Sequence, residues 1–142
     1  MSKNPQVESG RAPGAPACYP GKLYGAQRYA DPQCYRGKAG RPPRFGAGDR
    51  VRVRDSLDMF YSQTPAYTRG VVGEVVEAVY ESPAPEDEAW GYTDKVEWFY
   101  RVRFRRRDLW PEDGDGNPRD QVDVEIPERW LTPAAEGEPP AR

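Results

Sequence analysis

Histidine is absent from this sequence of 142 residues. Its absence removes the commonest general base, the commonest metal ligand and the base of every Ser-His or Cys-His nucleophile pair. The only cysteines are Cys18 and Cys34, so the chain has neither a Cys-x-x-Cys zinc pair nor a disulfide framework. We therefore expect no catalytic residue and no metal site in this chain, and we interpret both cysteines as free thiols.

Apolar residues are also scarce, at 37% of the chain, below the roughly 45–50% of globular domains. Proline and glycine are abundant in return, with 16 and 14 residues. No apolar run approaches the ~20 residues needed to span a bilayer, and residues 1–10 are too polar for a signal peptide. The composition predicts a cytoplasmic protein with one small domain, irregular segments and no membrane contact.

Charge is divided unevenly along the chain. Residues 1–44 hold eight basic and two acidic residues, a net charge of +6, while the remainder carries −8. The same 44 residues contain seven prolines, six glycines and four tyrosines but no apolar periodicity. Disordered linkers are poor in aromatic residues, whereas segments that bind a partner use tyrosine as an anchor. We interpret residues 1–44 as an extended, irregular arm for subunit contacts, the alternative being a solvated tail.

From Phe45 onward, short strands alternate with turn residues. Apolar residues at every second position predict strands over 49–54, 70–80, 98–104 and 121–126, with a bulge or bend at Gly73. A helical turn over 127–131 and one more brief strand follow. The pattern is typical of a mainly β fold, a small SH3-like barrel with long loops over residues 45–134, followed by a polar tail at 135–142.

Three long loops are predicted at 55–69, 81–97 and 111–120, and long loops on a small domain are usually functional. The sequence from Asp113 to Asn117 resembles a calcium loop but lacks the flanking helices and the glutamate at the twelfth position. The arginine-rich stretch at 101–107 lies on or just past a strand, where charge normally serves solubility. Because the barrel segment is acidic, we expect no nucleic-acid partner.

Five blocks of sequence resemble the C-terminal half of the nitrile hydratase β-subunit family. They are Asp31-Pro32-Gln33-Cys34-Tyr35, Phe45-x-x-Gly48-Asp49-x-Val51, Pro65-x-Tyr67-Thr68-Arg69-Gly70, Val96-Glu97-Trp98-Phe99-Tyr100 and Asp108-Leu109-Trp110-Pro111-Glu112. Further matches at 80–89 and 125–134 extend the likeness across 45–134. Within the family the chain looks most like the small α subunit of thiocyanate hydrolases, or the equivalent subunit of three-subunit, toyocamycin-type nitrile hydratases.

The resemblance implies a subunit of a heteromeric enzyme that hydrates a nitrile or hydrolyses thiocyanate. In that family cobalt(III), less often iron(III), is held by a Cys-x-x-Cys-Ser-Cys motif, which this chain lacks. The metal is therefore expected in a partner subunit, with a further small subunit completing the hetero-oligomer. Subunits without the metal complete the pocket, and their arginines contact the oxidised cysteines.

The same resemblance singles out Tyr61, Gln63, Tyr67 and Arg69 as residues of the substrate pocket or the subunit interface. Family members commonly read His-Thr-Arg or Tyr-Thr-Arg where this chain has Tyr61-Ser62-Gln63, so a neutral amide replaces a cation there. Arg69 keeps the family position, but a salt bridge within the barrel is an equally open interpretation. Tyr61 and Tyr67 line the interface or belong to the core. Two other functions stay open, an activator or metallochaperone of the metal subunit and a nucleic-acid-binding SH3-like module.

Overall fold

The computed structural model describes residues 35–56 and 64–142. Five strands form one antiparallel sheet: β1 (Arg50–Val53), β2 (Val72–Pro83), β3 (Val96–Arg105), β4 (Gln121–Pro127) and β5 (Leu131–Pro133). Two four-residue helices, α1 (Pro85–Glu88) and α2 (Arg106–Leu109), follow β2 and β3, and 3-10 turns occupy Ala66–Thr68 and Glu128–Trp130. The prediction of a mainly β fold is confirmed, whereas the SH3-like classification stays a prediction.

The strands are arranged in the order β4-β3-β2-β1-β5. Strands β1 to β4 pair in chain order, and β5 returns to pair with β1 at the other edge of the sheet. The residues predicted to face inward on β1 and β3 do so, because alternate positions of a strand share one face. Val51, Val53, Tyr100, Val102 and Phe104 are fully buried in one core. The four predicted strands are therefore present, with β2 and β3 extending further than the alternation indicated.

Gly73 does not form the predicted bulge. It pairs in register with Val51, and the irregularities of β2 lie further along, between Val75 and Glu77 and between Ala78 and Tyr80. A Cβ atom at Gly73 would lie 2.6 Å from Val102 Cγ1, because β3 packs directly against the glycine backbone. The glycine is thus required by a close approach within the sheet.

Substitution of Gly73 by alanine should therefore destabilise the core. The added methyl group would also meet the backbone oxygen of Arg103 at 2.9 Å, which cannot rotate away. We expect the free energy of unfolding to fall by about 1–3 kcal/mol, the usual effect of overpacking. Urea denaturation measures it, and Gly46→Ala, where a Cβ meets nothing within 4 Å, is the matched control. Equal stability of the two variants would contradict the close-packing explanation.

The acidic stretch at 81–88 was predicted to lie in a loop, and this is only partly correct. Strand β2 continues through Glu81 to Pro83, and α1 follows at once, so the connection to β3 is shorter, at residues 84–95. Glu81 and Glu86 are buried, at 6% and 7% exposure. These carboxylates are structural groups of the domain and not a solvated charge run.

Candidate functional site

Of the four predicted site residues, the structure describes Tyr67 and Arg69, while Tyr61 and Gln63 lie outside the described residues, as do Cys18 and Cys34. Tyr67 lies in the Ala66–Thr68 turn and Arg69 directly after it. Gly70, at φ +76°, ends the segment, and its N–H donates to the Val53 carbonyl at 2.8 Å. We refer to residues 66–70 as the site turn.

Arg69 forms no ion pair with any described residue, so the salt-bridge interpretation finds no partner in this part of the chain. Its guanidinium carbon lies 5.4 Å from the centroid of the Trp130 ring, a cation–π distance. Its Nε is buried and has no hydrogen-bond partner among the described residues. The charge of Arg69 therefore lies on an aromatic face, and no carboxylate of the described residues neutralises it.

The ring beneath Arg69 is held firmly in place. Trp130 is 2% exposed, and its indole N–H donates to Glu86 Oε1 at 2.5 Å. Glu86 is itself buried on α1, and no described residue hydrogen-bonds to its second oxygen, Oε2. Because the indole edge is fixed by Glu86 and the ring is part of the core, Trp130 presents a rigid platform to the guanidinium.

An exposed aromatic pair completes the site turn. The rings of Tyr67 and Trp110 lie 5.1 Å apart, and Trp110 is 39% exposed. Tyr67 is half-buried and packs against the core, so it both touches the core and contributes to the surface. Trp110 was not predicted as a site residue, although it belongs to one of the sequence blocks that carry the resemblance. Tyrosine, tryptophan and arginine are the residues most enriched at the centres of protein interfaces.

Two further exposed aromatic residues lie in the 84–95 connection. Trp90 and Tyr92 are 67% and 51% exposed. Lys95 lies over the Tyr92 ring at 5.0 Å. The connection between β2 and β3 thus carries exposed aromatic groups in addition to the Tyr67–Trp110 pair.

Buried carboxylates attach the described end of the arm to the domain. Glu81 accepts the N–H groups of Gly37 and Ala39, both at 2.7 Å. The Tyr100 hydroxyl accepts the Arg44 N–H at 2.8 Å and donates to Glu128. Sequence reasoning missed these contacts because the partners lie more than 25 residues apart.

Burial and the hydrogen bond to Glu128 raise the pKa of Tyr100 to about 12. A raised pKa means that the folded state binds the hydroxyl proton more tightly than the unfolded state does. The protonated Tyr100 hydroxyl therefore stabilises the fold fully below pH 10, the ordinary pKa of tyrosine, and this stabilisation is lost as the pH rises to about 12. We expect Tyr100→Phe to lower the free energy of unfolding by about 1–3 kcal/mol at neutral pH. Urea titrations between pH 7 and 12 should show that this difference narrows above pH 10. A difference in the free energy of unfolding that does not change with pH would contradict this explanation. Tyr92→Phe, at an exposed tyrosine, is the control.

The arginines at 101–107 do not form an open basic stripe. Arg103 pairs with Asp123 through two bonds of 2.8 Å, and Arg105 pairs with Asp108. Arg101 and Arg106 pair with Glu77 and Asp113. Since nucleic-acid binding needs cations that are free to meet phosphates, this surface does not favour a nucleic-acid partner.

Within residues 35–56 and 64–142, no group of three or more acidic or sulfur side chains is arranged to hold a metal ion. In the same residues, no helix has the length and hydrophobicity needed to cross a membrane.

Comparison with known proteins gives one consistent result. The family model of the nitrile hydratase beta subunit, C-terminal, matches residues 34–133. Thiocyanate hydrolase subunit alpha of Thiobacillus thioparus is 53% identical over 104 residues, which cover 73% of this chain and 82% of that subunit. A solved structure of the recombinant apo-enzyme of this thiocyanate hydrolase superimposes with a TM-score of 0.68, covering 73% of this chain and 86% of that chain.

Nitrile hydratase beta subunits match over a smaller share of their length. That of Pseudomonas chlororaphis is 39% identical over 99 residues, covering 67% of this chain and 42% of the subunit. A cobalt-containing nitrile hydratase beta subunit of Pseudonocardia thermophila is 34% identical over 77 residues, covering 54% of this chain and 33% of the subunit. The chain thus corresponds to most of one relative and to less than half of the others.

Proposed function

Since this chain belongs to the nitrile hydratase β-subunit family, in the branch of its C-terminal domain, we propose that it is a subunit of a heteromeric nitrile hydratase or thiocyanate hydrolase type enzyme. The observation that carries the proposal is the match to 82% of the thiocyanate hydrolase α subunit, a separate polypeptide of similar extent. We place the complex in the cytoplasm. Thiocyanate, a simple nitrile and a nucleoside nitrile of the toyocamycin type are the substrates to be compared.

We place the metal of this enzyme in a partner chain with a Cys-x-x-Cys-Ser-Cys motif. The donor chemistry of this chain does not suit a trivalent metal site, because it has no histidine and its two cysteines are 16 positions apart. The buried carboxylates Glu81 and Glu97 already accept backbone or arginine N–H groups. Cobalt is the metal that we favour, because one of the relatives is a subunit of a cobalt-containing nitrile hydratase.

We assign to this chain the task of completing the pocket beside that metal subunit. The site turn supplies the residues for it: Arg69 carries a charge that no described carboxylate neutralises, and Tyr67 and Trp110 form an aromatic surface next to it. A cation of this kind stabilises anionic oxygens held by a neighbouring chain. Tyr61 and Gln63, just before the turn in sequence, stay predicted members of the same surface, with Gln63 as a neutral donor.

We assign the remaining surfaces to assembly. The basic arm, residues 1–44, reaches neighbouring subunits, and its last part is fixed to the domain by Glu81 and Tyr100. Trp90 and Tyr92, exposed in the 84–95 connection, are the residues that we assign to a contact with a further small subunit.

Coexpression with a Cys-x-x-Cys-Ser-Cys subunit in cobalt-supplemented cells tests the proposal. We expect the two chains to elute together in stoichiometric amounts from size-exclusion chromatography, and hydration of a nitrile or hydrolysis of thiocyanate to require both. A chain that leaves the complex once the metal subunit is loaded would instead indicate the activator or metallochaperone. Salt-sensitive binding of RNA without coelution would indicate the nucleic-acid-binding module.

A further inference from the structure

Residues 135–142, the predicted polar tail, pack together with Ala134 along the edge of the domain. The segment continues from β5, with the Ala134 N–H donating to the Arg50 carbonyl at 3.0 Å. At its far end, the Val72 N–H donates to the Pro140 carbonyl at 2.8 Å. We refer to residues 134–142 as the strap, since they run from β1 across to the start of β2.

Arg52 joins the strap to the site turn. This residue lies on β1, on the face of the strand opposite the buried Val51 and Val53. Its guanidinium donates to the Gly70 carbonyl at 2.6 Å, to the Glu138 carboxylate at 3.0 Å and to the Pro139 carbonyl at 3.0 Å. A single planar cation therefore holds the last residue of the site turn and two residues of the strap in one arrangement.

Arg142 makes a second connection. Its guanidinium donates to the Tyr67 carbonyl at 2.8 Å and reaches the Leu109 carbonyl at 3.4 Å. Leu109 directly precedes Trp110, so this side chain contacts the backbone on both sides of the Tyr67–Trp110 pair. The site turn is thus attached to the strap at its second residue and at its last.

We propose that the strap positions the site turn, with Arg52, Glu138 and Arg142 as positioning residues that fix Tyr67 and Arg69 for contact with the metal subunit. The part concerning the metal subunit rests on the proposed function; the positioning itself does not. The hydrogen bonds that Arg52 and Arg142 donate to the site turn go to backbone carbonyls, so their loss would loosen the turn while leaving the chemistry of Tyr67 and Arg69 unchanged.

Two outer-face carboxylates provide a matched comparison for the test. Glu138 and Asp123 each accept two bonds from one arginine, Arg52 and Arg103 respectively, but only Arg52 also contacts the site turn. Amide hydrogen exchange is measured on the full chain for Glu138→Gln and Asp123→Asn, together with Arg142→Ala and its conservative counterpart Arg142→Lys. The readouts are the Thr68 and Val71 amides, which donate to the Pro65 and Thr68 carbonyls and not to the strap.

We expect Glu138→Gln and Arg142→Ala to accelerate exchange of these two amides by about tenfold, the consequence of losing one or two hydrogen bonds that oppose local opening. Asp123→Asn should leave them unchanged, and Arg142→Lys should recover part of the protection. Unchanged exchange in both strap variants, or the same acceleration in Asp123→Asn, overturns the proposal.

The dissociation constant for the metal subunit, measured with the same variants, separates this proposal from the function on which it partly rests. We expect an increase of about fivefold to tenfold for the strap variants, in parallel with the exchange rates. If the wild-type chain does not bind the metal subunit, the proposed function fails while the exchange result still decides the role of the strap. If exchange accelerates but affinity is unchanged, the strap does not serve assembly.

Discussion

Arg129→Met is expected to lower the free energy of unfolding by about 3–5 kcal/mol, the cost of leaving a buried charge without its partner. Arg129 donates from Nε and from its backbone N–H to the Glu97 carboxylate, at 2.8 and 3.0 Å, and it also pairs with Asp87. Glu97 is 7% exposed, so methionine would leave this carboxylate with little access to water. The same contacts tie α1 to β3, so the 84–95 connection should loosen as well.

Arg101→Met is the matched control for this change. Arg101 pairs with Glu77 on the outer face of the sheet, where both side chains are more than a third exposed. Loss of such a surface pair costs at most about 1 kcal/mol. Both variants replace arginine by methionine, so urea denaturation compares the loss of a buried ion pair with the loss of an exposed one. Adding Glu97→Gln and Asp87→Asn to Arg129→Met should recover stability, because the two changes remove both unpaired carboxylate charges. Failure to recover would show that lost packing, not charge, is the cause.

The strands could be predicted because alternation records burial directly. Val51 and Val53 on β1, and Val102 and Phe104 on β3, point to one core, and a shift by one residue would expose all of them. The strands and their buried faces therefore follow from the local pattern. Gly73 shows the limit of this reasoning, since the need for glycine at this position depends on how closely β3 packs against it.

The buried carboxylates could not be predicted for a different reason. Three of these carboxylates, those of Glu86, Glu97 and Glu128, lie in stretches that are rich in charged residues or proline. Such a composition is typical of solvated loops. Their partners are distant in sequence: Glu97 meets Arg129 across 32 residues and Glu86 meets Trp130 across 44. A carboxylate is buried only where such donors converge, and nothing in a single sequence indicates that convergence.

The candidate site was predicted in part. The resemblance indicated Tyr67 and Arg69, and the structure places both in the site turn. The resemblance gave no indication of Trp130 as the platform for Arg69, of Trp110 as the partner of Tyr67, or of the strap. Those contacts join the site turn to α2, the Glu128–Trp130 turn and the end of the chain, so they depend on tertiary structure alone.

Arg69→Met is expected to weaken binding of the metal subunit by about 100-fold, or about 3 kcal/mol, as for an arginine at the centre of an interface. The guanidinium is already partly desolvated, because its Nε is buried and its plane lies over Trp130. An anionic group of the partner would therefore meet a cation that has little hydration to lose. The domain itself should change in stability by less than about 1 kcal/mol, since no ion pair with a described residue is broken.

Two further variants decide whether charge alone explains the effect. Arg54→Met removes an exposed cation whose backbone N–H is bonded to the Trp130 carbonyl at 2.8 Å, so it alters net charge in the same neighbourhood without touching the ring. Arg69→Lys keeps the charge but not the planar group that stacks and forms two parallel bonds. Isothermal titration of the metal subunit should rank affinity as wild type and Arg54→Met, then Arg69→Lys, then Arg69→Met. Equal losses for Arg54→Met and Arg69→Met would mean that long-range attraction, not a contact at Arg69, holds the subunits together.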